Sequence, residues 1–228
     1  MTPSLPAAIT ALAGGLVVSV QAGDGTPLRD VEVIAALAES ALLGGACALR
    51  LNGPDDVRRL RGVTDVPIIG LHKVHNGTRN IITPEAGLAV GLAEAGADII
   101  AVDATVELLG RRFDLLKETA DATGRPVMAD VSTLEDGMLA WESGAAVVGT
   151  TLSGYTPESR RSEEPDLKLV AQLVAEGIPT IAEGRYRTPD QVAAAFDAGA
   201  LAVVVGGAIT DPIAITQRFV DAAPGAPL

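Results

Sequence analysis

GADIIAVDAT, residues 96–105, is one of four stretches in which Gly-Ala opens an apolar run; the others begin near residues 44, 144 and 199. A second pattern, proline followed by a similar run, begins at residues 67 (PIIGLHK), 126 (PVMADVS) and 179 (PTIAEGR) and alternates with the first. Runs of this length and character are typical of buried parallel strands. Together with GLVVSVQA, residues 15–22, the repeat predicts eight strands.

The segments between these runs have the features of helices. DVEVIAALAESALLGG (30–45) and TPDQVAAAFDAG (188–199), for example, begin with capping residues and carry apolar residues at helical spacing. The repeated Gly is expected to end each helix in a left-handed conformation, and the Pro to open a strand where no ladder donor is needed.

Eight strand–helix units in 228 residues predict an α/β protein formed by a single (β/α)8 TIM barrel over residues 1–228. An extra helix over residues 3–13 is predicted to cover the barrel bottom. A doubly wound open sheet is the alternative, but no Gly-x-Gly-x-x-Gly turn follows the first strand, and the alternating repeat favours closure.

The composition of the chain limits the classes of partner and substrate that it is expected to bind. The formal charge of −12 argues against nucleic acid or an anionic membrane surface as partner, so an anionic small substrate would need a local basic site. No apolar run reaches membrane-spanning length, and the N-terminus lacks the basic segment of an export signal, which predicts a cytoplasmic protein. The single cysteine, Cys47, excludes an intrachain disulfide.

Polar side chains recur at the predicted strand ends. In a barrel the inward-facing column becomes polar where it meets ligand, at the C-terminal mouth. The third and seventh strands lie opposite each other, so Lys73 and Glu183 are expected to face one another there. A plain ion pair that orients loops is the alternative for these two residues. The other polar strand-end positions are Arg50, Asn52, Asp103, Asp130 and Thr151.

The turns after the seventh and eighth strands, EGRYRTP (183–189) and VGGAITDP (205–212), predict a phosphate site. They combine small residues and arginine with a helix start, where backbone amides bind anions. The candidate phosphate-binding residues are Gly184, Arg185, Gly206 and Gly207. No metal is predicted, because no cluster of metal-ligand spacing surrounds His72 and His75.

Motifs over nearly the whole chain resemble the N-acetylmannosamine-6-phosphate 2-epimerase family of bacterial sialic acid catabolism. They run from LVVSVQA, LRLNG and PIIGLHK through ADIIAVDAT, MADVSTLEDG and GTTLSGYT to EEPDLKLV, IAEGRYRTP and VVVGGAIT. TTLSGYT followed by AEGRY is the most specific combination. The resemblance implies a cofactor-free homodimeric barrel that interconverts N-acetylmannosamine 6-phosphate and N-acetylglucosamine 6-phosphate.

The same resemblance implies roles for individual residues. Lys73 matches the catalytic base and Glu183 its acidic partner, while the positions associated with substrate are Gln21, Arg50, Asp130 and Arg185.

Two departures from the family pattern stand out. Family members often place a basic and then an acidic residue after the lysine, where this chain has Val74 and His75. Gly-Ser-Ala-Ile-Thr-Arg often closes the last motif, where this chain has GGAIT and then Asp211. An aspartate there repels phosphate unless it caps the last helix and points away.

The resulting hypothesis is epimerisation at C2 of the ring-opened sugar, with Lys73 exchanging the C2 proton. Glu183 positions the lysine or relays protons, and Arg50 with Gln21 orients the N-acetyl and carbonyl groups. The alternatives are Schiff-base chemistry at the lysine, a sugar-phosphate binding protein without turnover, and an epimerase of the unphosphorylated sugar.

Overall fold

The computed structural model describes residues 4–23, 25–110 and 113–224, which form ten strands and eleven helices. The strands are β1 (Leu16–Val20), β2 (Ala48–Asn52), β3 (Ile68–Leu71), β4 (Lys73–His75), β5 (Asn80–Ile82), β6 (Ile99–Asp103), β7 (Val127–Asp130), β8 (Val147–Gly149), β9 (Thr180–Glu183) and β10 (Ala202–Val205). Eight of them close a parallel barrel in the order β1-β2-β3-β6-β7-β8-β9-β10, and β10 pairs with β1. The predicted TIM barrel and its eight strands are confirmed.

One short helix precedes β1, and the other helices of the described residues follow barrel strands in the chain. The helices are α1 (Ala7–Thr10), α2 (Val31–Leu43), α3 (Pro54–Arg61), α4 (Ala86–Ala95), α5 (Val106–Leu109), α6 (Asp114–Thr123), α7 (Leu134–Glu142), α8 (Leu167–Ala175), α9 (Pro189–Asp197), α10 (Gly207–Thr210) and α11 (Pro212–Asp221). One apolar cluster lies between strands and helices, and a second, which includes Ile69 and Met128, fills the barrel interior. Within the described residues, no helix is long and apolar enough to cross a bilayer.

The N-terminal segment closes the bottom of the barrel, although its helix is shorter than the predicted 3–13. Ile9 and Leu12 are fully buried and belong to the interior cluster. Helix α1 begins only after Pro6, which offers no capping side chain, and the chain then turns at Gly14, whose N–H donates to Leu201 O at 2.8 Å. Pro3 lies outside the described residues.

The glycine and proline of the sequence repeat have the predicted conformational roles. Gly96 ends α4 at φ +108°, and Gly199 follows α9 at φ +95°, so both are left-handed. A Cβ at Gly96 would also lie 2.7 Å from Arg61 Cγ. Strands β3, β7 and β9 begin directly after Pro67, Pro126 and Pro179.

Lys73 does not lie on a barrel strand. Strand β3 ends at Leu71, and Lys73 begins the antiparallel hairpin β4–β5, which stands outside the barrel. At the hairpin base, Thr83 N–H donates to His72 O at 2.8 Å, while Thr83 Oγ1 accepts from His72 N–H at 3.0 Å. These bonds end the barrel strand two residues before the lysine.

Candidate active site

A pocket of about 490 Å³ opens at the mouth of the barrel. Its volume lies in the range of small-ligand sites. The structure brings most of the predicted site residues together on its wall: Gln21, Lys73, Glu183, Gly184, Arg185, Gly206 and Gly207. Arg50 and Asp130 are only 1% and 0% exposed, and they lie behind Glu183.

Arg50 is the centre of a buried charge network that joins three strands. Its guanidinium donates through Nη2 to Asp130 Oδ2 at 2.5 Å and through Nη1 to Glu183 Oε2. Thr151 Oγ1 adds bonds to Asp130 Oδ1 at 2.5 Å and to Glu183 Oε2 at 3.2 Å. Buried charges are tolerated when they are paired and hydrogen-bonded in this way. The network therefore fixes the orientation of Glu183, the one carboxylate of the three strands that reaches the pocket.

The buried network shifts the pKa values of Asp130 and Arg50. Burial raises the pKa of Asp130 to about 7, with a further contribution from the negative charge of Glu183, against the opposing effect of Arg50. Burial alone would lower the pKa of Arg50, but the two carboxylates outweigh it and raise that pKa. Arg50 therefore stays charged.

Glu183 and Lys73 face the same pocket from opposite sides of the ring, as expected. Among the described residues, however, no ion pair joins them, and the partner of Glu183 is Arg50. The expected pair is thus replaced by a contact with an arginine, because the Arg50 side chain reaches the carboxylate from inside the barrel.

The surroundings of the Lys73 amine lower its pKa. The residue is exposed to the concave pocket, yet protein atoms around the mouth displace part of its hydration. This desolvation lowers the pKa of Lys73, and the positive charge of Arg50 lowers it further, against smaller opposing effects of Glu183 and Asp130. The Lys73 backbone N–H donates to Asn52 Oδ1 at 2.9 Å, which ties the lysine to the end of β2.

Gln21 follows β1 directly and has one half of its amide unpaired. Its Nε2 donates to Ser19 Oγ at 2.7 Å, whereas its buried Oε1 has no hydrogen-bond partner among the described residues. An unpaired buried acceptor on a pocket wall suits a ligand N–H donor.

Arg185 is held by the loops around it. It adopts a left-handed backbone at φ +63°, donates from Nε to Glu164 O at 2.9 Å and from Nη1 to Ser153 O at 2.5 Å. Its guanidinium carbon lies 5.3 Å from the centroid of the Tyr155 ring. Much of its donor capacity is therefore used within the protein.

Asp211 caps the last helix, which meets the first of the two conditions for its compatibility with phosphate, but the residue also lines the pocket. Its Oδ1 accepts from Ala214 N–H at 3.0 Å. Arg218 lies further along the same helix and lines the same pocket. In the described part of the chain, no carboxylate forms an ion pair with Arg218, whereas Arg187 pairs with Glu163 at 3.2 Å.

Sequence reasoning missed several members of the site. Thr151 and Asn52 are among the polar strand-end positions, but the sequence pattern indicated no role for either of them. Arg218 gave no sequence signal, because it lies in an amphipathic helix whose basic residue also suits the helix C-terminus. Across the described ranges, no group of three or more His, Cys, Asp or Glu side chains is placed to hold a metal ion.

A closed (β/α)8 barrel with an amine, a carboxylate and several arginines at the C-terminal ends of its strands defines a TIM-barrel enzyme. Comparisons with known proteins identify its family. The family model described as "Putative N-acetylmannosamine-6-phosphate epimerase" matches residues 34–224. The chain belongs to this family and is therefore an isomerase of the epimerase type.

Individual relatives agree with the family match. A curated relative from Cutibacterium acnes, named "Putative N-acetylmannosamine-6-phosphate 2-epimerase", is 43% identical, and the alignment covers 94% of this chain and 96% of the relative. A relative of the same name from Yersinia pseudotuberculosis is 45% identical, with 92% and 91% covered. The solved N-acetylmannosamine-6-phosphate 2-epimerase of Clostridium perfringens is 40% identical, with a TM-score of 0.87 and 94% and 96% of the two chains covered.

Proposed function

We propose that this chain interconverts N-acetylmannosamine 6-phosphate and N-acetylglucosamine 6-phosphate by removing and returning the proton at C2. The observation that carries the proposal is the position of Lys73, an amine with a lowered pKa, on the wall of the pocket that Glu183 also lines. The names of the relatives support the choice of substrate.

The chemistry needs a ring-opened sugar. Its C2 hydrogen then lies beside the C1 aldehyde and can be removed as a proton. Neutral Lys73 takes this proton at Nζ, and the electron pair of the broken C–H bond delocalises onto the carbonyl oxygen as an enolate. The Lys73 ammonium then gives up this proton, which Glu183 relays to the opposite face of C2. This step yields the epimer and leaves the amine neutral and the carboxylate unchanged.

The charge network explains how the lysine can serve as a base. An unpaired glutamate beside Lys73 would hold the ammonium in its charged form. Desolvation lowers the pKa of Lys73, and Arg50, which binds that carboxylate instead, adds a positive charge that lowers it further. In this proposal Glu183 positions Lys73 or relays protons, while Arg50 and Asp130 act from behind the pocket wall and do not bind the sugar directly. Gln21 Oε1 accepts the N–H of the N-acetyl group.

The phosphate is assigned to the corner formed by the loops after β9 and β10. Arg185, Gly184, Gly206 and Gly207 line this corner, as the sequence predicts for a phosphate site. Arg218 supplies a further cation that, within the described chain, no carboxylate neutralises. We therefore assign the phosphate charge to Arg218 together with Arg185.

We also propose that the enzyme is a cytoplasmic homodimer, with α11 at the interface. Every residue of α11 is at least partly exposed, and its exposed apolar side chains include Ile213 at 53% and Phe219 at 75%. Apolar surface of this kind is typical of a protein interface.

The test is incubation with N-acetylmannosamine 6-phosphate in D2O, followed by NMR of both sugars and of the C2 hydrogen. We expect N-acetylglucosamine 6-phosphate with deuterium at C2. Deuterium at C2 of the starting sugar without conversion would show proton transfer but not epimerisation. The absence of both exchange and conversion would refute the proposal. The same incubation with unphosphorylated N-acetylmannosamine tests whether the phosphate is required.

A further inference from the structure

The hairpin that carries Lys73 needs its own anchorage, because the barrel ladder does not hold it. In the hairpin Lys73 pairs with Ile82, and His75 pairs with Asn80. Directly opposite residues of an antiparallel pair project to the same face. Ile82 belongs to the cluster that fills the barrel interior, so Lys73 shares the face that is turned toward the barrel axis.

Arg79, at the far end of the hairpin, joins it to the barrel. Its Nη1 donates to Asp103 Oδ2 at 2.5 Å and its Nε to Glu107 Oε2 at 3.0 Å. A longer bond from Nη2 reaches Thr105 Oγ1 at 3.3 Å. Asp103 is the last residue of β6 and is fully buried, and the Arg79 side chain is only 13% exposed.

The acceptor side of this contact is itself fixed. Asp103 Oδ1 accepts from Thr105 Oγ1 at 2.7 Å and from Thr105 N–H at 3.3 Å. The turn of the hairpin is closed on the other side, where Asn76 Oδ1 accepts from the N–H groups of Thr78 and Arg79, each at 2.9 Å. A rigid turn thus presents the guanidinium to a rigid acceptor.

We propose that Arg79 is a positioning residue: its bonds to the end of β6 and the start of α5 hold the hairpin so that Lys73 stays at the pocket. The inference rests on the proposed role of Lys73. It assigns a function to Asp103 as well, as the buried anchor of the hairpin. Displacement of a reacting group by about 1 Å can cost on the order of 100-fold in rate, so this anchorage matters for turnover.

The experiment compares wild type with Arg79→Gln, Arg79→Lys and Arg58→Gln. Arg58 is the control, because it is an arginine that pairs with an acid, Asp55, on the exposed surface of α3, whereas Arg79 pairs with the two acids Asp103 and Glu107. Three quantities are measured: amide hydrogen exchange of residues 73–82, and both kcat and KM for N-acetylmannosamine 6-phosphate.

We expect Arg79→Gln to accelerate exchange in the hairpin at least tenfold with the barrel strands unchanged. We expect kcat to fall by about 10- to 100-fold, with KM within about twofold. Arg79→Lys keeps the charge but cannot reach all three acceptors, so it should give intermediate values, and Arg58→Gln should match wild type. If the loss of its partner leaves Asp103 unpaired and the Arg79→Gln variant unfolds, the double variant Arg79→Gln/Asp103→Asn is used instead, because it removes the charges of both residues.

Unchanged hairpin exchange in Arg79→Gln would overturn the proposal, as would faster exchange with kcat within twofold of wild type. Failure of the proposed function has a different signature, namely wild type that does not exchange the C2 hydrogen. Hydrogen exchange would then still decide whether Arg79 holds the hairpin.

Discussion

At the scale of single residues, the site depends on which charges are paired. Glu183 and Asp130 both bind Arg50, so one positive charge lies between the two carboxylates inside the barrel. Lys73 is left in the pocket without a directly bound carboxylate among the described residues. Its lowered pKa follows from that arrangement together with desolvation.

Replacing Lys73 tests the base directly. Lys73→Ala should abolish conversion and C2 deuterium exchange, because no other amine lines the pocket among the described residues, while circular dichroism should show an intact fold. Lys117→Ala is the control, since Lys117 pairs with Asp121 on an exposed helix face. Retention of more than about 1% of wild-type exchange by Lys73→Ala would remove the lysine from the mechanism.

The pH profile tests the charge state of the same amine. A base works in its neutral form, so kcat/KM should rise with pH and level off at a pKa below the ordinary lysine value of 10.5. Rates are compared above pH 7, where the substrate phosphate has already lost its second proton, with a pKa of about 6. A rise that continues through pH 10.5 would contradict the lowered pKa.

The phosphate assignment gives a prediction for Arg218. Arg218→Gln should raise KM for the phosphorylated sugar by about tenfold, the size of one charge-assisted hydrogen bond, with a smaller change in kcat. Arg185→Ala should also raise KM more than it lowers kcat, and should reduce Tm as well, because Arg185 bonds two loop carbonyls. Weaker binding of the unphosphorylated sugar to Arg218→Gln would show that the arginine does not act on phosphate.

At the scale of elements, two glycines of α4 have different roles, one inside the helix and the other at its end. Gly91 lies inside the helix with open space around its Cα, whereas Gly96 ends it at φ +108° against Arg61. Gly91→Ala should stabilise the protein by about 0.5–1 kcal/mol, and Gly96→Ala should destabilise it by at least about 1 kcal/mol. Urea unfolding of the two variants measures both effects, and equal signs would contradict this interpretation.

The barrel strands and the hairpin also differ in what holds their site residues in place. The barrel strands carry Arg50, Asp130 and Glu183, whose positions are set by the ladder hydrogen bonds of neighbouring strands. The hairpin carries Lys73 and depends on a few side-chain bonds. Variants of the hairpin should therefore affect turnover more than stability.

At the scale of the whole molecule, α11 supplies the proposed dimer interface. Phe219→Glu should place a charge in that interface and yield a monomer in light scattering at micromolar concentration. Leu43→Glu is the control, because Leu43 is 92% exposed at the end of another helix. A wild-type protein that is monomeric, or a Phe219→Glu variant that stays dimeric, would contradict the assignment of α11.

Most of the fold was predictable because the barrel repeats one unit eight times. The Gly-Ala and Pro signals mark helix ends and strand starts through local backbone geometry, which depends little on distant residues. The bounds of α1 and the hairpin were not predictable in this way. The strand after Pro67 ends where Thr83, twelve residues beyond Leu71, bonds back to His72.

The sequence by itself determined the barrel, the polar mouth and the residues that meet there, because strand parity and repeat period act locally. Only the tertiary structure decided which of those residues bind one another. Glu183 pairs with Arg50 instead of Lys73, and Arg79 reaches Asp103 across 24 residues of chain. Pairings of this kind depend on side-chain reach and burial in three dimensions, and these quantities have no signature in residue spacing.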